Sequence, residues 1–288
     1  MTDRASTAWQ PSVLERERRS YRRSRSRRSL GAAAASTIIV AGLATVAVVN
    51  APGWNRVRDS FFNLDVARTS LPDIATGLLL NLEIFAAVAV AMMAVGLLVA
   101  VMRTLPGAVG WPLRALGTAY VDIFRGVPLL VLLYLVGFGV PGLRLQGTPT
   151  DMAVLGGVAL TLSYSAYVAE VLRAGIESVH PSQRAAARSL GLSSSQTMRL
   201  VVLPQAVRRV VPALLNDLVS LIKDSGLVSV LGIPLDAIRY AQIAQYDKAN
   251  YTPFVVAAVL FMLITIPATR LADLVTRRFG YTSFGGHL

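Results

Sequence analysis

Residues 30–49 run for twenty positions without a charged side chain. About 20 apolar residues in a helix are what the hydrocarbon core of a bilayer requires. Inside lipid every backbone N–H and C=O has to be paired within the chain, so this stretch commits part of the molecule to the membrane and to α-helix. It exceeds the apolar centre of a cleaved signal peptide, about 7–15 residues. The flanking Ser26-Arg27-Arg28-Ser29-Leu30 faintly matches a twin-arginine export signal, but a cationic flank of a transmembrane helix is the preferred reading. Further apolar runs follow at about residues 74–102, 116–138, 152–172, 210–231 and 254–274. Between them stand Pro106-Gly107, Pro141-Gly142, Pro149, His180-Pro181, Gly232-Ile233-Pro234 and Pro253, which are turn formers. No alternating strand pattern and no short repeat interrupts them. The expectation is an all-α, polytopic membrane protein with six transmembrane helices.

Composition agrees. Hydrophobic residues make up 54% of the 288 and charged residues only 15%, against about 25% in soluble domains. The net charge is +12, and 26 of the 28 cations are arginine. Greasy and basic together suit a membrane protein whose cations mark one side of the bilayer, not a nucleic-acid binder with a folded cationic surface. Residues 1–29 hold nine arginines and few large apolar residues, and read as a flexible basic tail. With the N-terminus in the cytoplasm, twenty loop cations fall on the cytoplasmic side and six on the other. That bias places both ends in the cytoplasm.

Several chemistries are absent from the sequence. There is no cysteine, and only His180 and His287 could offer imidazole, so no metal site is expected. No G-x-x-x-x-G-K-[ST] loop exists to cradle a nucleotide, and no G-x-S-x-G or H-E-x-x-H constellation suggests hydrolysis.

The stretch 173–209 is too polar to span and too ordered in pattern to be a linker. Residues 183–190 read as a short alanine-rich helix ended by a left-handed Gly191. Ser193 and Gln196 fit a capping box opening a second helix over 194–203, and Pro204 reads as a break before the next span. Two readings stand: a knob for a partner, or an amphipathic pair with Arg184, Arg188 and Arg199 facing lipid headgroups. The sequence Gln183, Ala185-Ala186-Ala187, Gly191 and Leu203-Pro204 resembles the cytoplasmic loop of ATP-binding-cassette importer permeases of type I. Phe124-Arg125-Gly126-Val127-Pro128-Leu129-Leu130, Ala166-Tyr167-Val168-Ala169-Glu170, Leu203-Pro204-Gln205-Ala206 and Lys223-Asp224-Ser225 narrow the resemblance to the polar amino-acid branch. The resemblance covers residues 71–278, with a docking loop at 174–206; the tail 1–29 and an extra helix at 30–50 lie outside it. Two positions depart from the family pattern: its acidic residue falls at Ala185 and its glycine at Ser182.

Charged groups within a span cost about 2.5–3.5 kcal/mol on insertion scales, so they mark partners or water. In the fifth run Asn216, Asp217, Ser220, Lys223 and Asp224 fall on one side of a helix, which suits a permeation path or a subunit interface ahead of a purely structural polar seam. In the second run Glu83, near Asn81, either meets a substrate amino group or pairs with Arg125. Glu170 and Arg173, three apart, form an intrahelical ion pair, and Tyr164 and Tyr167 are packing residues. The element from Phe124 to Pro128 kinks the third span.

The resemblance implies a permease subunit of an importer that translocates a polar amino acid across the cytoplasmic membrane, with five of the six helices forming the family core. It implies two ATPase subunits docked on the loop and carrying ATP and magnesium, a second permease copy or paralogue, and an extracellular solute-binding protein. No cofactor is expected on this chain itself. The alternative is an autonomous ion-coupled carrier or channel using Glu83, Lys223 and Asp224.

Overall fold

The computed structural model describes residues 12–105, 107–232 and 235–278, which form helices and connections with no strand among them. The first eleven residues of the basic stretch and the turn residues Pro106, Ile233 and Pro234 lie outside the described residues. The chain divides into two units, one ending at Asp59 and the other beginning at Ser60.

The first unit is dominated by α1 (Val13–Val49), opened by Ser12, whose Oγ accepts from the Glu15 N–H at 3.3 Å. The basic stretch read as flexible up to residue 29 is therefore corrected: from Val13 it is the opening part of one helix. Arginine is a good helix former, Ser12 supplies a cap, and the apolar stretch that follows supplies a helix to extend. Side chains from Gly31 to Val49 are exposed throughout. After it comes α2 (Trp54–Phe61).

In the second unit α3 (Leu64–Thr104) runs 41 residues, about 60 Å at 1.5 Å per residue. Asn63 Oδ1 caps it, accepting from the N–H groups of Asp65 and Val66 at 3.1 Å each. Its buried positions Ile74, Leu78, Asn81, Ile84, Val88, Met92, Gly96 and Val99 recur every three or four residues, so a single stripe faces the interior. The third apolar run is not one helix but two, α4 (Trp111–Gly126) and α5 (Leu129–Gly142), bent 106° apart. The cause lies in two residues. Pro128 disfavours helical backbone at Val127, which is extended, and then serves as the N-cap of α5. The kink read from the sequence is thus in the right place and far sharper than a kink.

The core is centred on α6 (Met152–Glu177), whose Ala159, Leu160, Tyr164 and Val168 pack with Ile84, Val88 and Met92 of α3 and Leu132 and Leu133 of α5. Then come the short helices α7 (Pro181–Ser189) and α8 (Ser194–Thr197), and a π-helical turn (Met198–Val202) leads directly into α9 (Leu203–Asp224). Pro204 does not break the chain, as expected from its sequence; it sits in the first turn of α9, where its missing N–H costs little. The widened π turn before it leaves room for the ring, and Gln205 Nε2 donates to the Val201 carbonyl at 2.9 Å. The run 210–231 is likewise divided: α9 stops at Asp224 and a 3-10 segment (Ser225–Leu231) continues to Gly232, which is left-handed at φ 80°. The unit ends with α10 (Ala237–Lys248) and α11 (Thr252–Arg278).

Among the described residues four helices are long and apolar enough to cross a membrane, or five if the bent pair α4–α5 counts as one span. Six are not reached by that measure, because α9 carries Arg208, Arg209, Asp217, Lys223 and Asp224. The all-α architecture expected from the sequence stands.

Candidate functional site

A cavity of about 490 Å³ opens where the α4–α5 break, α6 and α9 meet. The break contributes Arg125 to Leu129, α6 contributes Ser163, Tyr164 and Tyr167, and α9 contributes Asp217, Ser220 and Asp224. Each helix presents these residues for a local reason: 163 and 164 each lie one turn from 167, and 217, 220 and 224 succeed one another at one-turn spacing. Tyr164 Oη donates to Asp224 Oδ2 at 2.7 Å, fixing that carboxylate against α6. Asp217 Oδ2 is buried and lacks a hydrogen-bond partner among the described residues. An acceptor left bare in this way costs about 1–3 kcal/mol unless a ligand or water completes it.

The other polarity comes from the break. Pro128 caps α5 without any side-chain hydrogen bond, so the first N–H groups of α5 stand free beside Gly126, Val127 and Leu129 in the lining. A helix N-terminus carries partial positive charge and accepts carboxylates. Arg125 stands next to it, with its guanidinium 5.4 Å from the centre of the Tyr167 ring and 3.9 Å from Glu170. Glu170 itself is held by Arg103 at 2.7 Å and Arg173 at 2.6 Å, and Arg173 also reaches Glu177 at 2.5 Å. The Glu170–Arg173 pair was legible in the sequence; the Arg103 contact, 67 positions away in sequence, was not.

The candidate pathway residues divide. Ser220 and Asp224 line the cavity, whereas Asn216 and Lys223 are exposed outside its lining. At about 100° per residue the polar arc of α9 spans about 120°, and the cavity takes only the half bearing Asp217, Ser220 and Asp224. Asn81 does not line the cavity either. Its Nδ2 donates to Asp236 Oδ2 at 3.1 Å and its Oδ1 accepts from the Ala237 N–H at 3.0 Å, so it fastens α3 to the start of α10. Gly77 makes this possible, since any side chain there would collide with the Asp236 backbone. Glu83 is exposed and outside the lining of this cavity, and Arg125 pairs with Glu170 instead, which corrects the reading of a Glu83–Arg125 pair. Tyr164 packs in the core as read and lines the cavity as well, and Tyr167, read as a packing residue, lines it too. Only their i, i+3 spacing on a face with Ser163 hinted at that.

The loop between α6 and α9 follows its sequence over α7 and the two caps, whereas the second helix, expected over 194–203 and ended by Pro204, is instead α8 and a π turn running into α9. Gln183, Ala185, Ala186 and Ala187 lie on α7, with Ala187 buried and Gln183, Ala185 and Ala186 exposed. Gly191 has φ +83°, and the Gly191 and Leu192 N–H groups donate to the Arg188 and Ala187 carbonyls at 2.9 and 3.2 Å. That is a Schellman ending. Ser193 and Gln196 form the capping box reciprocally, at 3.2 and 2.9 Å. Two arginines fasten the loop to the end of α6: Arg184 donates to the Ile176 carbonyl at 2.6 Å, and Arg209 to the Ser178 carbonyl. Arg184 thus turns inward and does not face lipid headgroups. Leu203 and Pro204 open α9, and Val202 and Ala206 pack with Val179 beneath the loop.

A bundle of membrane-length helices around a polar cavity, with a braced loop joining the two helices that line it, defines a membrane transport subunit. The chain belongs to the family described as binding-protein-dependent transport system inner membrane component, whose model matches residues 92–281. It is a multi-pass membrane permease of the type I ATP-binding-cassette class. It is 40% identical over 175 residues, 60% of this chain and 77% of the relative, to the probable glutamine ABC transporter permease protein GlnM of Bacillus subtilis (strain 168). To the arginine transport system permease protein ArtQ of the same organism it is 32% identical over 219 residues, 75% of this chain and 97% of the relative. A crystal structure of an amino acid ABC transporter with histidines has a chain 34% identical to it, with a TM-score of 0.66 over 72% of this chain and 94% of that one. An inward-facing methionine transporter, MetNI, shares the fold at 23% identity, with a TM-score of 0.57 over 72% of this chain and 95% of that one.

Proposed function

We propose that this permease carries a polar amino acid through the cavity between the α5 N-terminus, α6 and α9. The observation that carries the reading is the pairing of opposite polarities in one lining: Arg125 and the free N–H groups of α5, with Asp217 and Asp224 on α9. A zwitterion needs both, with its carboxylate at the helix N-terminus and its ammonium at the carboxylates. The cavity volume lies within the range of small-molecule sites. The named amino-acid permeases among its relatives support the same substrate class. The carrier alternative needs a relay, yet Glu83 and Lys223 are exposed and form no hydrogen bond or ion pair with each other or with Asp224 among the described residues.

In this reading the chain performs no hydrolysis. ATP and magnesium belong to two partner ATPase subunits that dock on residues 174–206, a second permease completes the membrane domain, and an extracellular binding protein delivers the substrate. Both termini face the cytoplasm, as the cation bias requires. Because α7 is braced to the end of α6, and α8 runs through the π turn into α9, a displacement of the loop moves the two helices that carry the cavity. The test is uptake of a labelled polar amino acid by the complex reconstituted with its ATPase and binding protein. Uptake that requires ATP and the binding protein, and that falls with Asp217→Asn, is the expected result. Uptake by this chain alone, driven by an ion gradient, would contradict it.

A further inference from the structure

Between Ser178 and Asn216 the chain holds five arginines and no aspartate or glutamate. The nearest carboxylate upstream, Glu177, is already tied to Arg173 at 2.5 Å. Of the five, Arg184 and Arg209 are spent on the carbonyls at the end of α6. Arg188 is exposed and reaches only Ser194 Oγ, at 3.2 Å, while Arg199 and Arg208 are exposed with no partner among the described residues. Two leucines stand out beside these arginines, Leu190 at 84% exposed and Leu200 at 60%, among the exposed Ser189, Ser193, Ser194, Ser195 and Gln196. The face therefore offers two protruding apolar side chains, uncharged polar groups, a cationic rim and no negative group.

We infer that the ATPase partner of this chain receives the α7–α8 knob in a groove with an apolar floor and an acidic rim. The inference rests on the docking reading above and adds the chemistry of the partner. Complementary potentials set which partner is accepted and how fast it docks, and a rim free of carboxylates gains from acidic neighbours at every arginine. A membrane surface is the poorer fit. Interfacial helices hold themselves by buried apolar area along one face, whereas α7 is nine residues long with three alanines and α8 only four residues.

The test uses the detergent-solubilised complex of the full chain with its ATPase. Leu190→Asp reports on docking itself: weakened association is expected, and unchanged association would remove the docking reading with the inference. Ala185→Glu places a carboxylate at an exposed position of α7 and reports on the partner's charge. Association weakened about tenfold, together with a similar loss for Arg188→Glu plus Arg199→Glu, retention by the two lysine variants, and release by raised salt, is the result expected of an acidic rim. Association unchanged or tightened by Ala185→Glu while Leu190→Asp still weakens it would overturn the inference and leave docking standing. A photoreactive maleimide on Ser189→Cys, in a chain with no other cysteine, should cross-link to an ATPase peptide bearing aspartate or glutamate. Cross-linking to phospholipid would give the face to the bilayer and overturn it.

Discussion

Tyr164 donates to Asp224 and Asn81 donates to Asp236, yet the first bond lies in the cavity lining and the second in the frame. Tyr164→Phe keeps the ring packed among Leu160 and Val168 and removes only the donor to the carboxylate. A hydrogen bond to a charged group contributes about 1.5–3 kcal/mol, so the apparent KM for uptake should rise about tenfold or more, with expression unchanged. Asn81→Ala strands a carboxylate that is fully buried, and should lower stability by about 2–4 kcal/mol in thermal unfolding of the solubilised protein. Asp236 also sets a pH dependence. Burial pushes its carboxyl up to about 6, against the opposing Arg239 N–H and Asn81 contacts. The folded state therefore holds the proton more tightly than the unfolded chain, whose carboxyl titrates near 4. The stabilisation is complete below pH 4 and is lost as pH rises through about 6. Asp236→Asn should flatten that part of the stability profile, read as the melting temperature from pH 4 to 7.5.

At the scale of elements, the loop and the broken span teach different lessons. Gly191→Val puts a β-branched residue at φ +83°, which only glycine adopts without strain. It should unravel the Schellman ending and reduce ATP-driven uptake at least about tenfold, while the cavity stays intact to ligand. Arg184→Met removes one brace between α7 and α6 and should lower uptake more than ATPase association; equal losses would reduce Arg184 to a folding role. The loop was readable in advance because its determinants are local: Ser193 and Gln196 cap each other, and Gly191 ends α7 within three residues. The break at Val127–Pro128 was readable in position, since proline restricts its neighbour, but its 106° angle depends on what α5 packs against. Pro204 misled for the reason that a π turn ahead of a proline leaves no mark in a propensity pattern. Asn81 and Glu83 misled because a polar residue in an apolar run announces a partner without naming it. Asn81 found Asp236, 155 positions away, and Glu83 lies on the exposed side of α3.

For the whole molecule, the cation bias predicts which loops meet the cytoplasm. With no native cysteine in the chain, Ser182→Cys should be protected from an impermeant maleimide in intact cells and Ser60→Cys should react; the opposite pattern would invert the topology. The central claim is that the cavity half of α9, and not its neighbouring face, carries the substrate. The most direct measurement compares maleimide reaction at Ser220→Cys and Asn216→Cys in the assembled transporter, with and without a saturating polar amino acid and its binding protein. Ser220 lines the cavity with Asp217 and Asp224, and Asn216 lies outside it. The account predicts that substrate slows modification at position 220 about tenfold or more, as expected for a buried ligand, and leaves position 216 unaffected. Protection at position 216 with none at 220 would contradict it, because the path would then run along the other half of the polar arc.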